Sequence, residues 1–388
     1  MRISRRLERL VTLEDVRRRG LRRLPRMVSD FVEGGAEDEL TLERNRHAFA
    51  EATLRPRVLV DVSRRTMSTV ICGQQLSLPV LLAPTGLARL VHPEGELAAA
   101  RAAHDAGTVL VVSSASSFSI EQLAAEAGQP LWFQLYPWRD RGVTGDLLDR
   151  ARRAGYHALC VTVDVPAVGG RDRDIRNGFT VPPRVTPRNV LDVLRHPAWT
   201  VGLLRGPRIT LANLAELGGP SDVVSLARYA NEELINPAND WSELAWIRDR
   251  WEGPLIVKGV MTADDARRAV AHGVDAVGVS NHGGRQIDGA AASLDALREI
   301  ADAVEGEVEI LVDGGIRRGS DVVKALAIGA NACMIGRPFW HGLACAGQAG
   351  VRHVLEILAS EIDRTLALLG CPDVSALGPE HVDAPAAR

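Results

Sequence analysis

From Leu78 onward the chain repeats one rhythm: a short unbroken apolar run, a polar or Gly-containing turn, then ten to fifteen residues with helical spacing. Eight such units follow one another, their apolar runs being PVLLAP, TVLVVSS, LWFQLY, ALCVTVD, PLIVKGV, AVGVSN, EILVDGG and ACMIGR. Half-exposed strands alternate apolar and polar positions; these runs do not, which marks parallel strands buried on both faces. Ser119 with Gln122, and Thr262 with Asp265, read as capping boxes that start helices. Gly107, Gly155, Gly273 and Gly329 stand where helices should stop. Eight β/α units in this order predict an α/β fold, a (β/α)8 TIM barrel, with chemistry at the C-terminal ends of the strands.

Two stretches break the rhythm. Residues 1–76 read as an N-terminal helical extension, with a capping box at Thr12 and Asp15, followed by an irregular segment. Within the barrel, expected over 77–371, the connection after the fourth strand runs from 166 to 239, far longer than an ordinary βα loop, as a lid or a docking surface would be. Its segment NVLDVLRHPAWTVGLLRGPR mixes Leu, Val and Trp with Arg. Two readings stay open: an insert packed on the barrel, or an apolar and basic face for contact with a membrane surface. Residues 372–388 form a C-terminal tail.

Composition narrows the class. The chain has 388 residues, 46% hydrophobic, enough for a large core, and a formal net charge of −3, which gives no global field to recruit nucleic acid. Its five cysteines are odd in number and lack metal-ligand spacing, so neither structural zinc nor a disulfide framework is expected. The basic first residues lack a signal-peptide core and no run of about 18 apolar residues occurs, so a cytoplasmic protein is expected. Among 46 basic residues, only Lys258 and Lys324 are lysines, which singles out Lys258 at a strand end.

Candidate chemistry gathers at those ends. The seventh strand runs into Asp313-Gly314-Gly315-Ile316-Arg317 and the eighth into Gly336-Arg337: glycines for close backbone approach and arginines for a phosphate, where this barrel binds phosphate. After the sixth strand, Ser280-Asn281-His282-Gly283-Gly284-Arg285 places a base beside a guanidinium fork suited to a carboxylate. Asp164, closing the fourth strand, is a natural partner to orient His282. Arg171 would add a second fork, although Arg173 and Arg176 lie in the same segment. Lys258 suits either a Schiff base or a fixed cation beside an electron-accepting ring. Tyr136 is either a hydrogen-bond donor to substrate or an ordinary buried aromatic.

Together these stretches resemble the FMN-dependent 2-hydroxy-acid dehydrogenase and oxidase family, which includes glycolate oxidase, respiratory lactate dehydrogenases and mandelate dehydrogenase. SNHGGRQ and DGGIRRG carry the resemblance most specifically, with TVDVPAVGGRDRDIRNGF and LIVKGVMTADDAR in support. It implies FMN with its phosphate on Gly315, Arg317, Gly336 and Arg337, its ribityl chain near Asp313, its ring against Pro84, Thr85 and Gly86, and Gly314 among the cofactor-binding residues. Ser113, Gln134, Thr162, Lys258 and Ser280 match further flavin contacts, with Lys258 at the N1 and C2 carbonyl edge. His282 matches the family's base, Asp164 its orienting carboxylate, Arg285 and Arg171 its carboxylate clamp, and Tyr136 the partner of the substrate oxygen. The implied reaction oxidises an (S)-2-hydroxy acid to the 2-oxo acid. Relatives are commonly tetramers, so a homo-oligomer is implied.

Two departures refine the expectation. Phe31 aligns with the family's first substrate tyrosine, and Ala115 stands where glycolate oxidase has a bulky aromatic; both favour a larger aryl or alkyl acid. Gly86 replaces an alanine of glycolate oxidase, and the RHPAW-containing insert resembles dehydrogenases that deliver electrons to membrane quinone. The competing readings are an oxidase using oxygen, a flavin enzyme for an amine or modified peptide, and a flavin-binding protein without catalysis.

Overall fold

The computed structural model describes residues 7–179, 184, 186–206, 209–216, 225, 229 and 235–383. Eight parallel strands follow the eight apolar runs: β1 (Val80–Leu82), β2 (Val111–Ser113), β3 (Trp132–Leu135), β4 (Ala158–Thr162), β5 (Leu255–Val260), β6 (Ala276–Val279), β7 (Glu309–Asp313) and β8 (Ala332–Ile335). Each pairs with its sequence neighbour from β2 to β8, and β8 pairs with β1. A bridge between Leu82 and Leu110 closes the ring into a TIM barrel.

Strand geometry turns alternate residues inward. Leu81, Val111, Trp132, Ala158, Cys160, Ile256, Ala276, Leu311, Ala332 and Met334 fill the barrel as one buried cluster. Phe133, Leu135, Leu159, Val161, Val257 and Val279 face the surrounding helices instead. Continuing the inward register to the C-terminal ends brings Ser113, Gln134, Thr162, Lys258, Ser280 and Asp313 into one buried polar layer. The same pleat that makes the core apolar therefore delivers the polar floor of the site.

Helix signals hold with one change. Thr12–Asp15 and Ser119–Gln122 are reciprocal capping boxes. At the helix Ala263–Ala271, Thr262 Oγ1 accepts from the Asp265 N–H and donates to the Asp265 carboxylate, and the return bond from the Thr262 N–H is absent. Gly107, Gly155, Gly273 and Gly329 all have positive φ at helix ends.

The segment expected to be irregular before the barrel contains a hairpin, Thr69–Ile71 with Gln74–Leu76, that packs into the barrel's N-terminal end. Trp132 Nε1 donates to Gln74 Oε1 (2.7 Å), and the Cys72 N–H donates to Glu309 (2.7 Å). The C-terminal tail is tied down: Val382–Asp383 pairs with Thr53–Leu54. After β8 the helix Arg337–Leu369 breaks at Ala346 and Gly347, so a short barrel helix is followed by a long one, and between them they pack against the helices Leu13–Leu21 and Gly95–Asp105. The N-terminal extension crosses the C-terminal mouth of the barrel. Asn45 and Asn281 exchange two amide bonds of 2.8 Å, and Asp288 accepts from the Leu40 and Thr41 N–H groups.

In the insert, the described residues form the helices Asp172–Arg176, Pro187–Leu194, Pro197–Arg205 and Ala212–Ala215. Part of it is packed: Trp199 Nε1 donates to the Leu90 carbonyl (2.7 Å), and buried Asn213 accepts from the Ile120 N–H (2.9 Å). Part of it faces outward, with Leu191, Leu194 and Leu204 exposed beside exposed Arg188, Arg195 and Arg205. The reading of an insert packed on the barrel thus holds for the first part, and the second presents an exposed apolar and basic face. The rest of the segment expected to act as a lid lies outside the described residues.

Candidate active site

The C-terminal mouth holds a cavity of about 640 Å³, lined from β1 and β3 through the β8 loop, from the N-terminal extension and from the insert. Phe31, Pro84, Thr85, Gly86, Tyr136, Arg171, Lys258, His282, Arg285, Asp313, Gly314, Gly315, Arg317, Gly336 and Arg337 all line it. Ser113, Gln134, Thr162, Ser280 and Asp164 lie just behind that lining, in the polar layer or against His282. The structure thus brings every sequence-derived candidate to one place.

The floor is an ordered polar network. Lys258 Nζ donates to Ser280 Oγ (2.8 Å) and pairs with Asp313 (3.0 Å), while Ser280 Oγ donates to Asp313 (2.7 Å). Burial opposes the Lys258 charge, but Asp313 and Asp164 outweigh it and raise its pKa above the ordinary lysine range, so it is a fixed cation. A lysine so held is no Schiff-base nucleophile. Ser113 Oγ donates to Gln134 Oε1 (2.9 Å), which turns the Gln134 amide nitrogen outward. That nitrogen and Thr162 Oγ1 are buried without a hydrogen-bond partner among the described residues. Buried polar atoms are rarely left so, and these two suit the polar edge of a ring seated on Lys258.

His282 follows β6 in a left-handed conformation (φ 58°), and Gly283 and Gly284 continue it at 66° and 71°. A histidine held there costs about 1–3 kcal/mol, and the turn is fixed by its surroundings. Ser280 Oγ accepts from the His282 N–H (3.1 Å), and Asn281 Oδ1 accepts from the Gly284 N–H (3.1 Å). The turn sets His282 Nδ1 against both Asp164 oxygens, at 3.0 and 3.2 Å. Burial pushes the Asp164 carboxyl up, but His282 and Lys258 outweigh it and hold its pKa below the ordinary value. With Nδ1–H committed to Asp164, Nε2 keeps its lone pair as a proton acceptor.

The three arginines left open by sequence separate clearly. Arg173 is drawn to Glu39 and Asp30, and Arg176 pairs with Asp172 on the surface (2.8 Å). Arg171 alone of these lines the cavity. Arg285 donates through Nη1 to the carbonyls of Phe31 (2.8 Å) and Gly34 (2.9 Å), with its cation 5.0 Å from the Phe31 ring centre. Burial, then the charges of Arg171 and Arg337, pull the Arg285 pKa well down, as expected of a buried cation that lacks a full counter-charge. Burial raises the Tyr136 phenol to about 12, so it stays a protonated donor.

On the other side, Arg317 and Arg337 are half-buried, and desolvation lowers both pKa values to about 10. Arg337 donates to the carbonyls of Val32 (3.0 Å), Gly34 (2.8 Å) and Gly283 (2.9 Å), and sits at the start of a helix, where a phosphate is stabilised. Gly315 has φ 91°, and a side chain there would overlap the Asn45 carbonyl. Two half-buried cations, a helix start and close backbone fit a phosphate; with the orphaned Gln134 and Thr162 atoms they fit FMN as a whole.

The FMN-dependent dehydrogenase family matches residues 21–384. The chain belongs to this family. An L-lactate oxidase from a Nostoc strain is 47% identical over 90% of this chain and 91% of that protein. The (S)-mandelate dehydrogenase of Pseudomonas putida is 42% identical over 96% of this chain and 94% of that protein. Among solved structures, monotopic membrane protein (S)-mandelate dehydrogenase superposes with a TM-score of 0.93 at 41% identity, covering 97% of this chain and all of that one. As a member of the FMN-dependent dehydrogenase family, the protein is an FMN enzyme that oxidises 2-hydroxy acids.

Several site features had no sequence signal. The extension gives three backbone carbonyls, of Phe31, Val32 and Gly34, to the two arginines, and the sequence reading named only Phe31 among them. Trp340 donates to Thr85 Oγ1 (2.6 Å), and the Phe179 ring lies 4.6 Å from that of Phe31, tilted by 37°. Asp174 also lines the cavity.

Proposed function

We propose that this enzyme oxidises a bulky aryl or alkyl (S)-2-hydroxy acid and passes the electrons to a quinone-type acceptor at a membrane surface. The observation that carries the reading is the His282–Asp164 pair set beside Arg285, Arg171 and Tyr136 in a cavity walled by Phe31, Trp138, Phe179 and Trp340. Bound FMN supplies the two-electron acceptor. Arg285 and Arg171 hold the substrate carboxylate, and the Tyr136 phenol donates to its hydroxyl oxygen. His282 Nε2 takes a proton from the substrate, and Asp164 holds the required tautomer and stabilises the imidazolium that results.

Phe31 contributes a ring and no hydroxyl, and with Phe179, Trp340 and the insert's Leu211 and Leu214 it offers apolar area to a substrate side chain. Burying such a side chain is worth about 1.5–3 kcal/mol, so kcat/KM falls by about 10–100-fold from mandelate-sized acids to glycolate. Equal or better turnover of glycolate in that series would contradict the assignment.

The exposed Leu191, Leu194 and Leu204, flanked by arginines, support docking on an anionic bilayer, and the structural neighbour is described as a monotopic membrane protein. No helix among the described residues is long and apolar enough to cross a membrane. Replacing the three leucines by serine lowers partitioning onto anionic vesicles by at least about tenfold, while turnover with a soluble acceptor is unchanged. Undiminished vesicle binding by the triple variant would remove the membrane from the account.

Gly86 bears on the acceptor. A methyl group there would lie 2.7 Å from the Ala115 carbonyl oxygen, so the loop after β2 packs closely against the loop after β1. The Nostoc relative's name favours oxygen instead, and the rate of reoxidation by air against that by a quinone analogue decides between the two acceptors.

A further inference from the structure

Asn213 has no part in the mechanism above, yet it is completely buried, at 0% exposed, where the insert returns to the barrel. A buried amide is tolerated only when its donors and acceptor find partners. Its Oδ1 accepts from the Ile120 N–H (2.9 Å), one of the groups that the start of the helix Ile120–Glu126 leaves unpaired, and its Nδ2 donates to the Ser114 carbonyl (3.3 Å). One side chain thus grips both ends of the loop after β2. Backbone bonds run beside it: the Ala212 N–H donates to the Ser116 carbonyl (3.1 Å), and Arg150 Nη1 donates to the Asn213 carbonyl (3.2 Å) while Arg150 also pairs with Glu121 and Glu216.

The loop it grips is itself fixed. Ser113 Oγ accepts from the Ala115 N–H (3.1 Å), the Ala115 carbonyl accepts from the Leu87 N–H (3.1 Å), and Glu96 Oε1 accepts from the Ser117 N–H (3.0 Å). On either side of Asn213, Leu211 and Leu214 are buried and line the cavity, three residues apart and so on one face of a helical turn. We propose that Asn213 is a positioning residue that sets the upper size limit of the substrate side chain, by pinning Leu211 and Leu214 as a rigid wall that refuses acids larger than mandelate. This rests on the bulky-acid reading above and gives it an upper bound. Asn213 acts only through the two leucines. A wall free to shift would admit a longer side chain at small cost, whereas one held at four hydrogen bonds to the barrel meets it as a clash.

The test compares kcat/KM of the FMN-loaded enzyme for (S)-mandelate and (S)-4-tert-butylmandelate with a soluble acceptor. Wild type prefers mandelate by at least about tenfold. Leu211→Ala with Leu214→Ala removes the wall and moves the ratio toward the larger acid by at least about tenfold. Asn213→Ala moves it the same way by at least about fivefold with the lining residues intact, and so does Ala212→Pro, which deletes the bond to the Ser116 carbonyl at the first helical position, where proline is tolerated. Once both leucines are gone, adding Asn213→Ala shifts the ratio by less than about twofold, because it has no wall left to hold. A merely structural role would lower both acids alike, or add its effect independently of the leucines, and either result overturns the proposal, as does a wild type that does not discriminate. If Asn213→Ala loses its FMN, Ala212→Pro decides by the same ratio. Turnover of neither acid by the wild type sinks the bulky-acid reading itself; turnover of both with ratios that do not move sinks only the role of Asn213.

Discussion

Replacing His282 by glutamine lowers kcat by about 10³–10⁴-fold while leaving the flavin spectrum and FMN affinity near wild type. The reason is local. His282 lines the cavity, its Nδ1 is committed to Asp164 at 3.0 Å, and its backbone is fixed by Ser280 and by the left-handed turn through Gly283 and Gly284. Glutamine can fill the space but cannot accept a proton at neutral pH. Asp164→Asn should cost about 10²–10⁴-fold in kcat with little change in KM, because an amide can present the wrong hydrogen-bonding partner to Nδ1 and no longer offsets the imidazolium charge. The two residues act as one device, so the double variant is expected to be little worse than His282→Gln alone. Stopped-flow reduction of the flavin under single-turnover conditions measures this step directly. A His282→Gln enzyme reduced within about tenfold of the wild-type rate would place the base elsewhere.

Replacing Arg337 by lysine weakens FMN binding by at least about 100-fold and also loosens the N-terminal extension. Arg337 spreads its three donor nitrogens over the carbonyls of Val32, Gly34 and Gly283. A lysine ammonium keeps the charge but cannot reproduce a planar fork, and each hydrogen bond to a charged group is worth about 1.5–3 kcal/mol. Arg317 provides the contrast. Its Nη1 donates to the carbonyl of its own neighbour Ile316 (2.8 Å), so Arg317→Lys should weaken FMN without freeing the extension. Quenching of FMN fluorescence gives the affinities. Hydrogen exchange over residues 28–36 separates the two variants: faster in Arg337→Lys, unchanged in Arg317→Lys. Equal exchange in both would show that the extension is held by other contacts, among them the pairing of Glu33 with His341 (2.7 Å) and Arg17 (2.5 Å).

The barrel was legible because parallel strands buried on both faces leave continuous apolar runs, and because polar residues at their C-terminal ends interrupt those runs at one level. Gln134, Thr162, Lys258, Ser280 and Asp313 stand out in the sequence for that reason, and the inward pleat places them together. His282, Arg285, Arg317 and Arg337 were legible as strand-end residues beside glycines. What sequence could not show depends on contacts over long separations. The carbonyls of Phe31, Val32 and Gly34 carry no side-chain signature, and nothing in their local sequence tells that they serve arginines about 250–300 residues away. Asp174 looked like one charge in the alternation Arg171-Asp172-Arg173-Asp174, and only the helix Asp172–Arg176 turns it into the cavity while Arg173 and Arg176 face carboxylates outside it. The hairpin Thr69–Ile71 with Gln74–Leu76 was hidden because its strands are three residues each, too short for a period of two to register.

The central claim is that His282, Asp164, Arg171 and Arg285 present an (S)-2-hydroxy acid to FMN, and anaerobic mixing of the holoenzyme with a graded panel of such acids tests it most directly. The account predicts that the flavin band bleaches with (S)-mandelate and long-chain 2-hydroxy acids, more slowly with lactate and most slowly with glycolate, and that the (R) acids leave it unchanged. A flavin that stays oxidised with every acid in the panel, yet is bleached by dithionite, would contradict it.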